Sequence, residues 1–258
     1  MIEAVESARA VKIGCCGFRS GRQDYFSRFD LVEVQQTFYQ PPTKPDTLRR
    51  WREEAPADFE FTMKAWQLVT HEGRSPTYRR IKRVLTEEER DTCGAFRPTA
   101  IVREGWETTR ECAEALGARR ILFQCPAKFT PTDEHVGDLR RFFASIERGE
   151  FVFMWEPRGA AWSPELVGEL CRELDLVHVV DPFAARTTTP AARYYRLHGR
   201  GGFRYVYEED ELRELYSMLP REATSYVLFN NVRMASDAER FKEIVAEETE
   251  ADAADGRE

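Results

Sequence analysis

Short apolar segments rich in β-branched and aromatic residues recur eight times along this chain, with helical patterns between most of them. We predict strands at residues 11–16, 31–37, 59–64, 120–125, 151–156, 176–181, 193–198 and 225–230. Strands that alternate with helices form parallel sheets, and eight such units match the α/β fold class of the (β/α)₈ TIM barrel. A doubly wound open sheet is the alternative, but the sequence GCCGF after the first strand is not the glycine-rich phosphate loop typical of that fold.

The helices predicted between these strands have turn and cap signals at their ends. We expect helices at residues 21–29, 43–54, 104–116, 132–147, 163–174, 208–219 and 236–247. Gly117 stands at the C′ position of one, Thr132 or Asp133 caps another, and Ser163 with Pro164 begins a third. A chain of 258 residues with 42% hydrophobic residues is long enough to bury one barrel-sized core. We therefore predict a single domain, with the barrel at about residues 11–247.

Residues 65–99 form the longest stretch without a clear period, directly after the third predicted strand. A compact domain rarely holds so long a stretch without local structure, so we predict that it is partly helical. Loops that follow barrel strands lie on the catalytic side. We predict that this excursion is a lid over the mouth, because it has too few apolar residues for a second core.

Composition excludes several classes of protein. The net charge of −7 and the pI of about 5.4 leave no overall basic footprint for nucleic acid. Six scattered cysteines without a CxxC pair favour buried thiols over a disulfide scaffold or thiol chemistry. No basic and apolar leader opens the sequence, and no apolar run approaches the roughly 18–20 residues that span a bilayer. We predict a cytoplasmic protein with no membrane partner, whereas the oligomeric state is not specified.

A polar residue or a thiol stands at the end of every predicted strand. Glu33 is the most unusual, since it lies inside an apolar strand where an unpaired carboxylate costs several kcal/mol. It either pairs with an internal cation or has a function. Because barrel chemistry gathers at the carboxyl ends of the strands, we predict one polar pocket there. The predicted catalytic residues are Glu33, Lys64, Glu156 and His198, and the predicted substrate-binding residues are Gln35, Gln124, Arg158, Asp181, Arg196 and Asn230.

Each strand-end residue also has an ordinary structural interpretation. Asp181 before a proline could cap a turn, and His198 before a glycine could bond to the backbone. Asn230 and Asn231 could be turn formers. One shared pocket explains eight polar strand ends better than eight separate turns do.

Several motifs, in this order along the chain, resemble those of the DUF72 (YecE-like) family. They are VKIGCCGF, LVEVQQTFYQPP, FEFTMKA, ILFQCPAKF, FMWEPR with Trp162, YYRLHG and VLFNN, and they extend from about residue 11 to about residue 245. The resemblance implies a TIM barrel but no settled activity, because the family is named for its unknown function. By motif position it implies that the recurrent polar residues are Glu33, Lys64, Gln124, Glu156, Arg158, Arg196, His198 and Asn230.

The chain departs from the family pattern at two strand ends. The family usually has Gly-Thr-Ser-Gly-Trp after the first strand, where this sequence has Cys15, Cys16 and Phe18. The family's Gln-Leu-Pro-Pro is replaced by Gln124-Cys125-Pro126-Ala127. Thiols thus replace two hydroxyl groups after the first strand and a leucine after the fourth, and we carry no role over to the loop after the first strand.

The pattern of charges favours an enzyme that uses carboxylates for acid and base work. Two carboxylates in different environments can have separated pKa values, and Lys64 would hold one of them ionised. Arg158, Arg196 and His198 would bind an anionic group, since arginine binds phosphate or carboxylate with a two-pronged fork. We predict a hydrolase or isomerase with a small anionic, phosphorylated or sugar-like, substrate.

Two alternatives are less favoured. A divalent metal held by Glu33, Glu156, Asp181 and His198 would be repelled by Lys64 and Arg196, so we predict no metal ligands and leave the cofactor unknown. A nucleic-acid partner would use the arginine-rich residues 74–90. It would also use Trp66, Tyr78 and Phe96, which we expect to be exposed. The acidic balance of the chain argues against that partner.

Overall fold

The computed structural model describes residues 10–221 and 223–255. Eight parallel strands follow one another in sequence order and close into a barrel, which confirms the predicted (β/α)₈ fold. The strands are β1 (Val11–Cys15), β2 (Leu31–Val34), β3 (Glu60–Lys64), β4 (Arg120–Gln124), β5 (Val152–Glu156), β6 (Val177–Val180), β7 (Arg193–Leu197) and β8 (Ser225–Phe229). Residues 1–9, where the sequence predicts no secretion leader, lie outside the described residues, as do position 222 and residues 256–258.

The predicted helices are present, with shifted bounds, and further short helices lie between them. They are α1 (Arg22–Arg28), α2 (Gln36–Tyr39), α3 (Asp46–Glu54), α4 (Gln67–Thr70), α5 (Glu87–Thr92), α6 (Ala100–Leu116), α7 (Asp133–Ser145), α8 (Pro164–Glu173), α9 (Glu209–Met218) and α10 (Met234–Asp255), with a 3₁₀ helix at Pro76–Arg80. The side chains of Thr132 and Ser163 cap α7 and α8, and Gly117 ends α6 in the left-handed conformation (φ 66°). Within the described residues, no helix combines the length and apolar character needed to cross a bilayer.

The second strand is shorter than the sequence predicts. β2 ends at Val34, because Gln35 adopts a helical conformation (φ −101°, ψ −20°) and α2 begins at Gln36. The hydroxyl of Thr37 donates to the carbonyl oxygens of Val34 (3.3 Å) and Lys64 (3.2 Å). The predicted strand at residues 31–37 is therefore wrong beyond Val34.

Residues from Glu33 to His178 form one compact body. Within it β4 pairs along its whole length with β5, so that Gln124 lies directly opposite Glu156. Aromatic side chains from α6, α7, β4 and β5 fill the space between strands and helices. The ring centroids of Phe123 and Phe143 are 5.1 Å apart, and both rings are buried. Packing of this kind fixes the strand ends that carry the polar residues.

The excursion at residues 65–99 belongs to the same body and is partly helical, as predicted. Its first helix, α4, packs closely against α6: a methyl group on Gly105 would come within 2.9 Å of the Leu68 Cβ atom. Helix α6 begins at Ala100, earlier than the predicted residue 104, and directly follows the excursion. The predicted position of the excursion over the mouth, and the single domain, stay predictions.

The described residues up to Val32 and from Val179 onward form a second compact body. β1 pairs with β8 along its length, and the Tyr25 hydroxyl links β1 to β2. That hydroxyl accepts a hydrogen bond from the Cys15 N–H (2.7 Å) and donates to the Leu31 carbonyl (2.9 Å). Helix α10 covers this pair of strands, with Phe241 5.9 Å from Phe229 between ring centroids. α10 continues to Asp255, beyond the predicted end at residue 247.

Candidate functional site

Six predicted site residues lie in the body 33–178, at or just after the carboxyl ends of β2, β3, β4 and β5. We call this group the β2–β5 cluster; it consists of Glu33, Gln35, Lys64, Gln124, Glu156 and Arg158. Three of its charged residues are buried, with Glu33 0%, Lys64 4% and Glu156 6% exposed. The Gln35 side-chain amide donates to Glu33 Oε1 at 3.2 Å. Ionised groups at this depth need polar partners, and the neighbouring strand ends provide them.

Lys64 is held by a neutral oxygen and an aromatic face. Its Nζ donates to Gln124 Oε1 at 2.8 Å and lies 3.9 Å from the centroid of the Phe38 ring. A cation over an aromatic ring is attracted by the negative face of the ring. The ammonium group is therefore fixed at the end of β3 with its positive charge close to the ends of β4 and α2.

Glu156 forms an ion pair with Arg158, two residues further along the chain. Both Nε (2.9 Å) and Nη2 (2.8 Å) of Arg158 donate to the same oxygen, Glu156 Oε1. The Glu156 side chain is 8% exposed, whereas that of Arg158 is 39% exposed. The pair thus joins a buried carboxylate to a guanidinium that solvent reaches.

The other predicted residues lie in the second body, and we call them the β6–β8 cluster: Asp181, Arg196, His198 and Asn230. Asp181 Oδ2 accepts the backbone N–H of His198 (2.9 Å), and Oδ1 accepts that of Phe183 (3.1 Å). Arg196 is 1% exposed, and its Nη1 lies 3.5 Å from His198 Nε2. Asn230 is half-buried, and its N–H donates to the Leu197 carbonyl. Asp181 thus accepts the backbone hydrogen bonds that its turn-capping interpretation predicts. It also lies next to His198 of the same cluster.

Sequence reasoning missed His71, which the structure brings to the β2–β5 cluster. His71 follows α4, is 4% exposed, and its ring packs edge-on against Phe38 with centroids 4.9 Å apart. Its Nδ1 lies 2.8 Å from the Thr70 hydroxyl. Burial, with the positive charges of Lys64 and Arg158, lowers the pKa of His71 to about 3. The sequence offers one signal for this residue, a histidine within an otherwise irregular stretch. It does not show which side chains surround that histidine in the folded protein.

Comparison with known families identifies the family of the whole chain. A family model described as protein of unknown function DUF72 matches residues 19–257. The chain belongs to the DUF72 family. The resemblance carried by the strand-end motifs is thereby confirmed. No functionally curated protein matches the sequence.

Solved structures of other DUF72 proteins have the same fold. A DUF72 family protein from Enterococcus faecalis V583 is 22% identical, with a TM-score of 0.71 over 93% of this chain and 99% of that one. A second, from Thermotoga maritima MSB8, is 23% identical, with a TM-score of 0.66 over 92% and 100%. A xylose isomerase domain containing protein from Salmonella typhimurium LT2 is 17% identical, with a TM-score of 0.53 over 90% and 94%. At these identities the likeness establishes the barrel fold alone.

The thiols at the carboxyl ends of β1 and β4, Cys15 and Cys125, are buried. Cys15 Sγ lies 3.4 Å from the Met234 carbonyl oxygen, and burial raises the pKa of Cys15 to about 12. Cys125 accepts a hydrogen bond from the Trp155 indole N–H (3.2 Å), and burial raises its thiol pKa well above the ordinary value. Thiols held neutral in this way are poor nucleophiles. The preference for buried thiols over thiol chemistry therefore agrees with the structure.

The aromatic side chains expected to be exposed are not. Trp66 is 5%, Tyr78 6% and Phe96 0% exposed, because the excursion packs them against its own backbone and against the aromatic core. The Tyr78 hydroxyl, for example, donates to the His71 carbonyl at 2.7 Å. The prediction of an aromatic surface for stacking bases on these residues is wrong. Across the part of the chain that the structure describes, no group of three or more His, Cys, Asp or Glu side chains could hold a metal ion.

The structure therefore brings the predicted residues together within each cluster. Glu156 meets Arg158, Lys64 meets Gln124, and Arg196 meets His198. Their catalytic and binding roles stay predictions, as does the single shared pocket.

Proposed function

We propose that this DUF72 protein is an enzyme that performs acid–base chemistry on a small anionic substrate, phosphorylated or sugar-like. The observation that carries the proposal is the Glu156–Arg158 pair at the end of β5. A buried carboxylate next to a partly exposed guanidinium unites a proton-transfer group with an anion-binding group. We infer a hydrolase or isomerase reaction, since both classes use a side chain that transfers a proton to or from a bound substrate.

Arg158 is the anion-binding group of the proposal. Its planar guanidinium can present several donors to phosphate or carboxylate oxygens, and the 39% exposure of its side chain allows contact from the solvent side. Lys64 adds a second positive charge, since both cations act on the imidazole of His71 and so lie in one region. Arg196 and His198 are proposed to bind an anionic group at the end of β7.

Glu156 is the proton-transfer group of the proposal. Its side chain keeps 8% exposure, whereas Glu33 has none. A group that exchanges a proton with a substrate must be within hydrogen-bond reach of it, so the more accessible carboxylate is the better candidate. We assign Glu33 a supporting electrostatic role. A cytoplasmic location remains part of the proposal.

The test is the thermal stability of the protein with inorganic phosphate, ribose 5-phosphate and glucose 6-phosphate. A ligand at about 100 times its Kd should add about 2.7 kcal/mol of stability, or roughly 5–10 °C for a domain of this size. The Arg158→Ala variant should lose most of this shift. Arg119→Ala is the matched control, because Arg119 is 71% exposed and precedes β4 at its amino end.

Two results would contradict the proposal in different ways. If Arg158→Ala responds to each anion as the wild type does, Arg158 is not the anion-binding group. If none of the anions at millimolar concentration raises the thermal stability of the wild type, the proposal of an anionic substrate is wrong.

A further inference from the structure

The turn that follows β3 contains buried polar atoms that lack partners. This turn, Trp66–His71, begins two residues after Lys64. Trp66 Nε1 is a buried donor and Gln67 Oε1 a buried acceptor, and neither has a hydrogen-bond partner among the described residues. A buried polar atom without a partner is costly, so such atoms in a folded protein usually meet a water or a ligand.

The backbone and side chains of this turn are otherwise fixed. The Trp66 N–H donates to the Thr109 hydroxyl (3.0 Å), and Gln67 Nε2 donates to the Tyr39 carbonyl (2.9 Å). The second bond defines which end of the Gln67 amide is the acceptor, so Oε1 is the atom left unpartnered. The unpartnered atoms therefore belong to an ordered turn.

His71 adds a third hydrogen-bonding group at the end of the same turn. Its Nδ1 is engaged with Thr70, and its ring packs against Phe38, whose face holds Lys64. The imidazole stays neutral at pH 7, so with Nδ1 engaged it offers one further donor or acceptor, Nε2, rather than a positive charge. Neutral hydrogen-bonding groups thus follow directly after the cation of β3.

The mixture of donor and acceptor defines the chemistry of a ligand. A phosphate dianion only accepts hydrogen bonds, so it would leave Gln67 Oε1 unpartnered and repel it. A hydroxyl group both donates and accepts, so hydroxyl groups can satisfy a donor such as Trp66 Nε1 as well as an acceptor such as Gln67 Oε1. We propose that the Trp66–His71 turn binds hydroxyl groups, so that the ligand is a polyhydroxylated anion such as a sugar phosphate. This inference rests on the proposed function, because the anionic part of the ligand is assigned to Arg158 and Lys64.

The test uses the indole N–H resonances of the wild-type protein in ¹⁵N-labelled form, titrated with ribose 5-phosphate, glucose 6-phosphate and inorganic phosphate. The Trp66 resonance is assigned by its loss in Trp66→Phe. It should shift with a sugar phosphate and not with inorganic phosphate. The indole groups of Trp155 and Trp162 are internal controls, since they already donate to Cys125 Sγ (3.2 Å) and the Phe129 carbonyl (2.7 Å).

Affinities of variants complete the test. Trp66→Phe and Gln67→Met should each weaken sugar phosphate binding by about tenfold, the loss expected for one buried hydrogen bond, and leave inorganic phosphate binding within about twofold. Trp51→Phe, the same change on α3, should leave both affinities unchanged.

The outcomes separate this inference from the proposed function. Sugar phosphate binding that depends on Arg158 but leaves the Trp66 resonance and both variants unaffected overturns the hydroxyl-binding turn alone. Equal shifts of the Trp66 resonance with inorganic phosphate and sugar phosphate also overturn it. A wild-type protein that binds none of the three anions overturns both. The wild-type titration decides the matter even where a variant fails to fold.

Discussion

The free energy of unfolding should fall steeply between pH 8 and pH 5, because two histidines are held neutral inside the folded protein. Burial lowers the pKa of His71 to about 3 and that of His178 to about 4, from an ordinary value of 6.5. Lys64 and Arg158 add to the effect at His71, whereas the Glu156 carboxylate opposes it at His178. Below pH 6.5 the unfolded chain binds protons that the folded state does not, so stability is lost as the pH falls. The loss ends only near the folded pKa values.

The size of the loss follows from these values. Each pKa unit corresponds to about 1.4 kcal/mol, and pH 5 lies about 1.5 below 6.5. Each histidine is then almost fully protonated in the unfolded chain and still neutral in the folded one. Each therefore removes about 2 kcal/mol between pH 8 and pH 5, and the two together remove about 4 kcal/mol. Such a change is a large fraction of the stability of a typical domain.

The perturbation that isolates one histidine is His71→Gln. Glutamine does not titrate, so the variant should lose about 2 kcal/mol less than the wild type between pH 8 and pH 5. The assay is urea-induced unfolding followed by far-UV circular dichroism at both pH values. For each protein, the free energy of unfolding at pH 5 is compared with that at pH 8. The effect of the substitution on stability at pH 8 then cancels. His135→Gln is the matched control, since that ring is only half-buried on α7 and should keep the wild-type loss.

Equal losses in the wild type and His71→Gln would refute the reasoning. In that case His71 would not be held neutral by burial and by the cations of the β2–β5 cluster. The neutral state of the His71 ring, on which its role in the proposed hydroxyl binding depends, would then be unsupported.

Three further outcomes are expected. Arg196→Ala should lose part of the thermal stabilisation that phosphate and sugar phosphates confer, and a response identical to that of the wild type would show that Arg196 does not bind the anion. All six cysteines are buried, so a thiol reagent such as dithionitrobenzoate should label none of them rapidly at pH 8 and all six after unfolding; rapid labelling of the folded protein would contradict their inert state. Tyr78→Phe removes the donor to the buried His71 carbonyl and should lower the free energy of unfolding by about 1–3 kcal/mol, as measured by urea unfolding. An unchanged free energy would mean that the excursion does not depend on this bond.

Much of the fold could be predicted from the sequence, because its signals are local. The alternation of apolar segments with helical periods indicates parallel strands and their connecting helices. Gly117, Thr132 and Ser163 with Pro164 mark helix ends through backbone geometry and side-chain caps that involve only nearby residues. Polar residues could be placed at the carboxyl ends of their strands from the sequence, since each directly follows or ends an apolar strand segment.

The partners of the charged residues were decided only by the tertiary structure. Lys64 donates to Gln124, 60 residues away, and Arg158 binds Glu156. β2 ends early where Gln35 turns the chain into α2, and the Thr37 hydroxyl of that helix reaches the Lys64 carbonyl on another strand. Trp66 is buried and His71 kept neutral by contacts made across the body 33–178. Burial and electrostatic energy depend on which groups replace water around a side chain, and those groups come from distant parts of the chain.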